Sequence, residues 1–164
     1  MAHFYLDTSA VVKRYRTEPG TDVMSTLLEQ PTPDDRFYVS FLLVLEFTSG
    51  ILRLVRGSRV RQSTADGIIA RFRQDARDLL RIWPLDDSIL GSAISVVHNH
   101  RLRSADAIHL ATALAVSSVE ANVPLTLVTS DAELAEAGQA AGLETLTPGN
   151  PEAMARLNQI RGAR

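Results

Sequence analysis

The sequence predicts an α/β fold, a central parallel sheet of four to five short strands flanked by helices on both faces. Three observations predict it. Short apolar runs, such as Phe4-Tyr5-Leu6 and Leu125-Thr126-Leu127-Val128, alternate with longer stretches of helical period. Two of these runs break into turns able to start a helix, Asp7-Thr8-Ser9 and Thr129-Ser130-Asp131. The 164 residues, 45% of them hydrophobic, suit a single core, and no repeat or low-complexity segment divides them.

The elements follow in order. Phe4 to Leu6 reads as a buried strand running into Asp7-Thr8-Ser9, which caps a helix from about Ala10 to Tyr15. Pro19-Gly20 breaks that helix, Thr21 caps a second one through Leu28, and residues 31–35 form a loop. Phe37 to Val39 is a second strand. Ser40 then opens a long helix from Phe41 to Val55, closed by Gly57. Val60 to Leu80 is another helix, arginine-rich outside and apolar inside, and Ile82 to Leu85 is a brief strand that Pro84 confines to an edge. Asp86 or Asp87 caps a helix to about His98, and Ser104 caps an alanine- and leucine-rich helix from Ala105 to Val119. After the strand Leu125 to Val128, Ser130 and Glu133 have capping-box spacing, so a helix starts there and ends near Gly142. Leu143 to Leu146 is a last strand, and Pro151 to Ile160 a terminal helix followed by a frayed basic tail.

The net charge of −2 gives no global signal of nucleic-acid binding. The distribution is less even: between Arg53 and Arg81 eight arginines stand against Asp66, Asp75 and Asp78. The ordinary reading of such a run is a solvated helix face. The absence of cysteine excludes disulfides, thiolate zinc sites and cysteine nucleophiles. No apolar stretch of about 18 residues is present, so no membrane span is expected. The first residues lack signal-peptide character, so a cytoplasmic location is expected.

Four acids stand in unusual surroundings. Asp7 and Asp131 sit where buried strands emerge into helices, the carboxyl edge at which open α/β sheets bind ligands. Asp106 opens an apolar helix, and Glu46 interrupts Phe41-Leu42-Leu43-Val44-Leu45 and Phe47. Each has a plain structural explanation. The aspartates suit helix N-termini, where the dipole stabilises an acid by about 0.3–1 kcal/mol, and an arginine partner would satisfy Glu46. Together they are harder to explain. Two carboxylates about 4 Å apart repel by roughly 4 kcal/mol at an effective dielectric near 20, so a cluster needs a cation. An all-carboxylate set suits hard ions such as Mg²⁺ or Mn²⁺.

Four segments, Tyr5-Leu6-Asp7-Thr8-Ser9-Ala10, Glu46 in its apolar helix, Arg103-Ser104-Ala105-Asp106-Ala107-Ile108-His109-Leu110-Ala111-Thr112-Ala113 and Val128-Thr129-Ser130-Asp131, resemble in order and spacing the PIN-domain family, especially the VapC-type toxin ribonucleases of bacterial toxin–antitoxin systems. The likeness covers about residues 3 to 146. It implies one PIN-like nuclease domain over residues 1–148, leaving 149–164 as a tail or terminal helix without a clear family counterpart. It implies that Asp7, Glu46, Asp106 and Asp131 bind one or two Mg²⁺ or Mn²⁺ ions directly or through water, with Ser9 and Thr129 orienting ligands. It further implies cleavage of single-stranded RNA to a 3′-hydroxyl and a 5′-phosphate, a homodimer held by helices, and an antitoxin that blocks the acidic site.

The residues favour a metal-activated water as nucleophile, since no Ser-His-Asp or Cys-His arrangement is evident. Asp7 and Asp106 take the metal roles first. Glu46 orients the water or acts as a base, and Asp131 completes the site. Arg103, Arg53 and Arg56 are candidate contacts to the RNA backbone, each competing with a role as plain solvated surface. His109, three residues after Asp106, is either a metal or acid–base group or a satisfied half-buried histidine. His98 and His100 complement a helix dipole, and Trp83 belongs to the core. The alternatives are a non-catalytic interaction module of the same fold and a carboxylate-based phosphotransfer domain. The latter would want Asp-x-Asp, but residue 9 is Ser, or a late lysine, but Lys13 is the only lysine.

Overall fold

In the computed structural model, residues 1–162 are described. Five parallel strands form one sheet in the order β3-β2-β1-β4-β5. They are β1 (Ala2–Leu6), β2 (Asp35–Ser40), β3 (Leu80–Trp83), β4 (Leu125–Val128) and β5 (Glu144–Leu146). The chain builds outward from β1 to β2 and β3, then returns to place β4 on the other side of β1. The strand order therefore reverses between β1 and β4, and a crevice opens at such a switch point beyond the strands' carboxyl ends.

Helices cover both faces, as the alternation of elements predicts. On one face lie α1 (Thr8–Val11), α2 (Thr21–Glu29), α3 (Phe41–Arg56), α4 (Gln62–Asp78) and α8 (Ala153–Gly162). Phe4, Leu6, Phe37 and Val39 point into this layer and meet Met24, Leu43, Phe47, Phe72 and Leu157. On the other face lie α5 (Asp87–His100), α6 (Ser104–Val119) and α7 (Ala132–Ala140), packed on Tyr5, Tyr38, Leu125 and Leu127. The period of two along β1 thus sends Tyr5 to one side and Phe4 and Leu6 to the other.

Ser40 caps α3 and Asp86 caps α5, accepting from the backbone N–H of Leu42 at 3.2 Å and of Ile89 at 3.0 Å. Other helix starts differ from the sequence expectation. The cap of α2 is Gly20, in the left-handed region at φ 93°, while the Thr21 hydroxyl donates to the Glu18 carbonyl. Arg103, not Ser104, occupies the cap position of α6 and makes no side-chain cap bond. Asp131, not Ser130, caps α7, and the Ser130 N–H is bound instead by Ser9 Oγ at 2.9 Å. The helix expected from Ala10 to Tyr15 starts at Thr8 and tightens into a 3₁₀ turn over Val12–Arg14. Strand β3 begins at Leu80 and stops before Pro84, so the proline lies outside the sheet rather than on its edge.

Helix α8 is part of the packed body, with Ala153 and Leu157 buried and Arg161 paired to Asp35 at 2.7 Å. Gly20 seats the segment leading to it. A Cβ there would stand 2.6 Å from the Pro148 carbonyl carbon, so the close approach needs glycine as much as the turn does. The frayed tail expected after Ile160 falls partly on residues 163–164, outside the described residues. Among the described residues no helix is long and apolar enough to cross a membrane.

Candidate active site

Strands β1 and β4 run side by side with Leu6 opposite Val128, so Asp7 and Thr129 leave the sheet together. Hydroxyls lock the two ends. Asp7 Oδ2 accepts from Ser9 Oγ at 2.5 Å, from the Ser9 N–H at 3.2 Å and from Thr129 Oγ1 at 2.9 Å. In return Ser9 Oγ takes the Ser130 N–H, and Thr129 Oγ1 takes the Asp131 N–H at 3.0 Å. Asp7 is only 4% exposed, and charge-assisted bonds of this kind make burial of a carboxylate tolerable. With Oδ2 so engaged, Oδ1 faces the His109 ring, 3.5 Å from Nε2.

Glu46 comes from the second turn of α3. Its Oε2 accepts from Thr8 Oγ1 at 2.5 Å and from His109 Nε2 at 2.8 Å. Burial pushes the Glu46 carboxyl up, but the donors His109 and Thr8 and the charges of His109 and Arg53 outweigh it, holding it below the usual value. The expectation of a wholly apolar setting is corrected. Glu46 is 30% exposed and Leu45 beside it 65%, so the first turns of α3 are partly surface. Its partners are Thr8 and His109 rather than an arginine.

Helix α6 presents Asp106 and His109 one turn apart. His109 is 1% exposed, buried more deeply than the half-buried histidine of the sequence reading. Its Nδ1 lies 2.9 Å from the Tyr5 hydroxyl. Burial opposes protonation of the ring, but Glu46, Asp7 and Asp106 outweigh it and raise its affinity for a proton. Asp106 moves upward too: burial comes first, then the charges of Asp131, Asp7 and Glu46, with His109 pulling the other way. Asp131 caps α7, its Oδ1 accepting from the Leu134 N–H at 2.9 Å.

The structure thus brings all four predicted acids, with Ser9 and Thr129, to the carboxyl end of the sheet at the switch point. Their mutual influence on Asp106 marks a surplus of negative charge. The donor set, carboxylates with hydroxyls behind them, fits a hard divalent cation. Among the described residues no three Asp, Glu or His side chains stand close enough together to grip one ion as they are arranged. Arg53, Arg56 and Arg103 are exposed, and the charge of Arg53 reaches Glu46. Sequence reasoning missed Tyr5 and Thr8. Tyr5 carried a signal, since the strand period places it on the same face as Asp7. His98 and His100 lie in the last turn of α5, and Trp83 is partly buried against the second core.

Comparison with known proteins bears on the family and the fold. The family model described as PIN domain matches residues 4–140. Ribonuclease VapC35 of Mycobacterium tuberculosis is 36% identical over 147 residues, 88% of this chain and 96% of that protein. Among solved structures, FitAcB from Neisseria gonorrhoeae superposes with a TM-score of 0.65 at 22% identity, covering 88% of this chain and 97% of that one. VapBC2 from Rickettsia felis, bound to a DNA fragment from its promoter, gives 0.60 at 15% identity, covering 87% and 96%. These two share the fold, and the family match rests on sequence: the chain belongs to the PIN-domain family and has a VapC ribonuclease as a relative over nearly its whole length.

Proposed function

We propose that the protein is a divalent-metal-dependent endoribonuclease that cleaves single-stranded RNA and serves as the toxin of a toxin–antitoxin pair. The observation that carries this reading is the convergence of Asp7, Glu46, Asp106 and Asp131 at one sheet edge, where burial first and then the charges of Asp131, Asp7 and Glu46 hold the Asp106 carboxyl above its ordinary value. The 36% identity to a protein named a ribonuclease supports the choice of substrate. A non-catalytic module would have no use for so much unrelieved charge.

Asp7 and Asp106 would hold Mg²⁺ or Mn²⁺, with Asp131 completing the site. Such an ion, when bound, supplies the charge that acidifies a water and neutralises the phosphate. The chain's own contribution is positioning. Ser9 and Thr129 fix Asp7 Oδ2, and Oδ1 faces the His109 ring. Thr8 and His109 both bind Glu46 Oε2, leaving Oε1 to take a proton from the attacking water. Arg53, Arg56 and Arg103 would hold the RNA backbone, their exposure leaving them open to phosphate.

Two partners complete the proposal. A second copy of the chain would cover the outer face of α5, where Leu90, Ile94 and Val97 are exposed at helical spacing. An antitoxin would reach the acidic site with a basic side chain, a reading supported by the toxin–antitoxin naming of fold neighbours such as the complex from Klebsiella pneumoniae. The test is cleavage of an end-labelled single-stranded RNA by the purified protein. Activity with Mg²⁺ or Mn²⁺ that EDTA abolishes, leaving 3′-hydroxyl ends, is expected. Equal cleavage by Asp7→Asn protein would assign the activity to a contaminant and end the proposal.

A further inference from the structure

We propose that His109, tethered by Tyr5, is a positioning residue that fixes the Glu46 and Asp7 carboxylates relative to each other at the mouth of the acidic site; the inference rests on the metal-dependent reading of the site. Three elements converge on the imidazole. Strand β1 brings the Tyr5 hydroxyl to Nδ1 at 2.9 Å, and α3 brings Glu46 Oε2 to Nε2 at 2.8 Å. Beyond the end of β1, Asp7 Oδ1 lies 3.5 Å from the same Nε2. The ring is 1% exposed and Tyr5 is fully buried, so neither has water as an alternative partner.

The hydrogen-bond arithmetic gives the arrangement a direction. A carboxylate can only accept, so the nitrogen facing Glu46 must carry its proton. With that proton on Nε2, a neutral ring has a bare Nδ1, which accepts from the Tyr5 hydroxyl. Glu46 therefore sets the proton on Nε2, Tyr5 holds the other nitrogen and orients the ring, and the ring orients two acids. Ring tethering by a partner on the second nitrogen is the usual way proteins aim a histidine at a metal centre. Here the histidine aims at the carboxylates.

A histidine serving only to fill space would make both nitrogens dispensable. Leucine would then serve nearly as well, and loss of the Tyr5 hydroxyl would matter only to stability. A positioning role makes the N–H toward Glu46 the essential feature. Glutamine can reproduce that donor while its carbonyl accepts from Tyr5.

The experiment is calorimetric titration of the RNA-free protein with Mn²⁺ alone, alongside unfolding midpoints in EDTA. His109→Leu is expected to bind Mn²⁺ at least about tenfold more weakly while staying folded. His109→Gln is expected to recover most of the lost affinity, and Tyr5→Phe to lose affinity with His109 intact. Leucine protein that binds as tightly as wild type, or glutamine protein as weak as leucine, would overturn the positioning role. Should His109→Leu fail to fold, Tyr5→Phe decides: unchanged Mn²⁺ affinity overturns the tether. Wild-type protein that binds no Mn²⁺ fails differently, since it removes the metal-dependent reading first.

Discussion

Arg14 grips the Asp75 carboxylate twice, from Nε at 2.9 Å and from Nη2 at 3.2 Å, across 61 residues of chain. Tyr15 adds its hydroxyl to the same Oδ2 at 2.5 Å, and Arg14 Nη1 reaches Glu29 at 2.8 Å. The 3₁₀ turn, α2 and α4 are thereby tied together behind the site. Burial would raise the Asp75 carboxyl, but the donors Arg14 and Tyr15 overcome it and hold it below its ordinary value of 3.8. A folded value below the unfolded one stabilises the protein fully above the unfolded value, and that stability is lost as pH falls through the folded one. Urea unfolding is expected to show wild type weakening more steeply below about pH 4 than Asp75→Asn. At neutral pH the substitution should cost about 1–3 kcal/mol.

Asp106 has the opposite sign. Its folded value is raised by burial and by Asp131, Asp7 and Glu46, so its ionised form destabilises the metal-free fold. Asp106→Asn should abolish RNA cleavage yet raise the unfolding midpoint in EDTA by about 2 °C. A lower midpoint would show that the charge surplus is already compensated within the protein.

Thr129 is completely buried and uses its hydroxyl in both directions, donating to Asp7 and accepting from Asp131. Thr129→Val keeps the shape but strands a backbone donor and removes one donor from Asp7. A loss of about 1–3 kcal/mol in stability is expected, with cleavage falling about tenfold. Thr129→Ser should restore most of both, read by unfolding and by single-turnover cleavage.

On α5, Ile94 is 62% exposed, between Leu90 at 41% and Val97 at 39%. Ile94→Glu is expected to convert a dimer to a monomer in sedimentation velocity while moving the monomer's urea midpoint little, since the side chain is on the surface. A dimer that survives the change would place the interface elsewhere.

Much of this was legible from residue order. The runs at β1 and β4 could be read because burial on both faces leaves uninterrupted apolar residues, and the acids at their ends stood out against that background. What escaped depended on tertiary competition. Ser130 has capping chemistry, but its N–H is tied to Ser9 at the start of α1, and the residue after it, Asp131, takes the cap. Thr21 lost the cap of α2 to Gly20, which is left-handed and lies so close to Pro148 that no side chain would fit. Glu46 looked buried because its neighbours are apolar, yet Phe41 and Leu45 face outward at 56% and 65% exposure. The link from Tyr5 through His109 to Glu46 joins three distant segments, and no local pattern encodes it.

Ser9 and Thr129 close their clasp only when β4 has settled against β1, and they stand 120 positions apart in the chain. A nascent polypeptide that has emerged only as far as α6 already contains Asp7, Glu46 and Asp106, but it lacks Thr129, which joins Ser9 in holding Asp7 Oδ2. Under the proposed function, cleavage would therefore have to wait until β4 has been made and has joined the sheet.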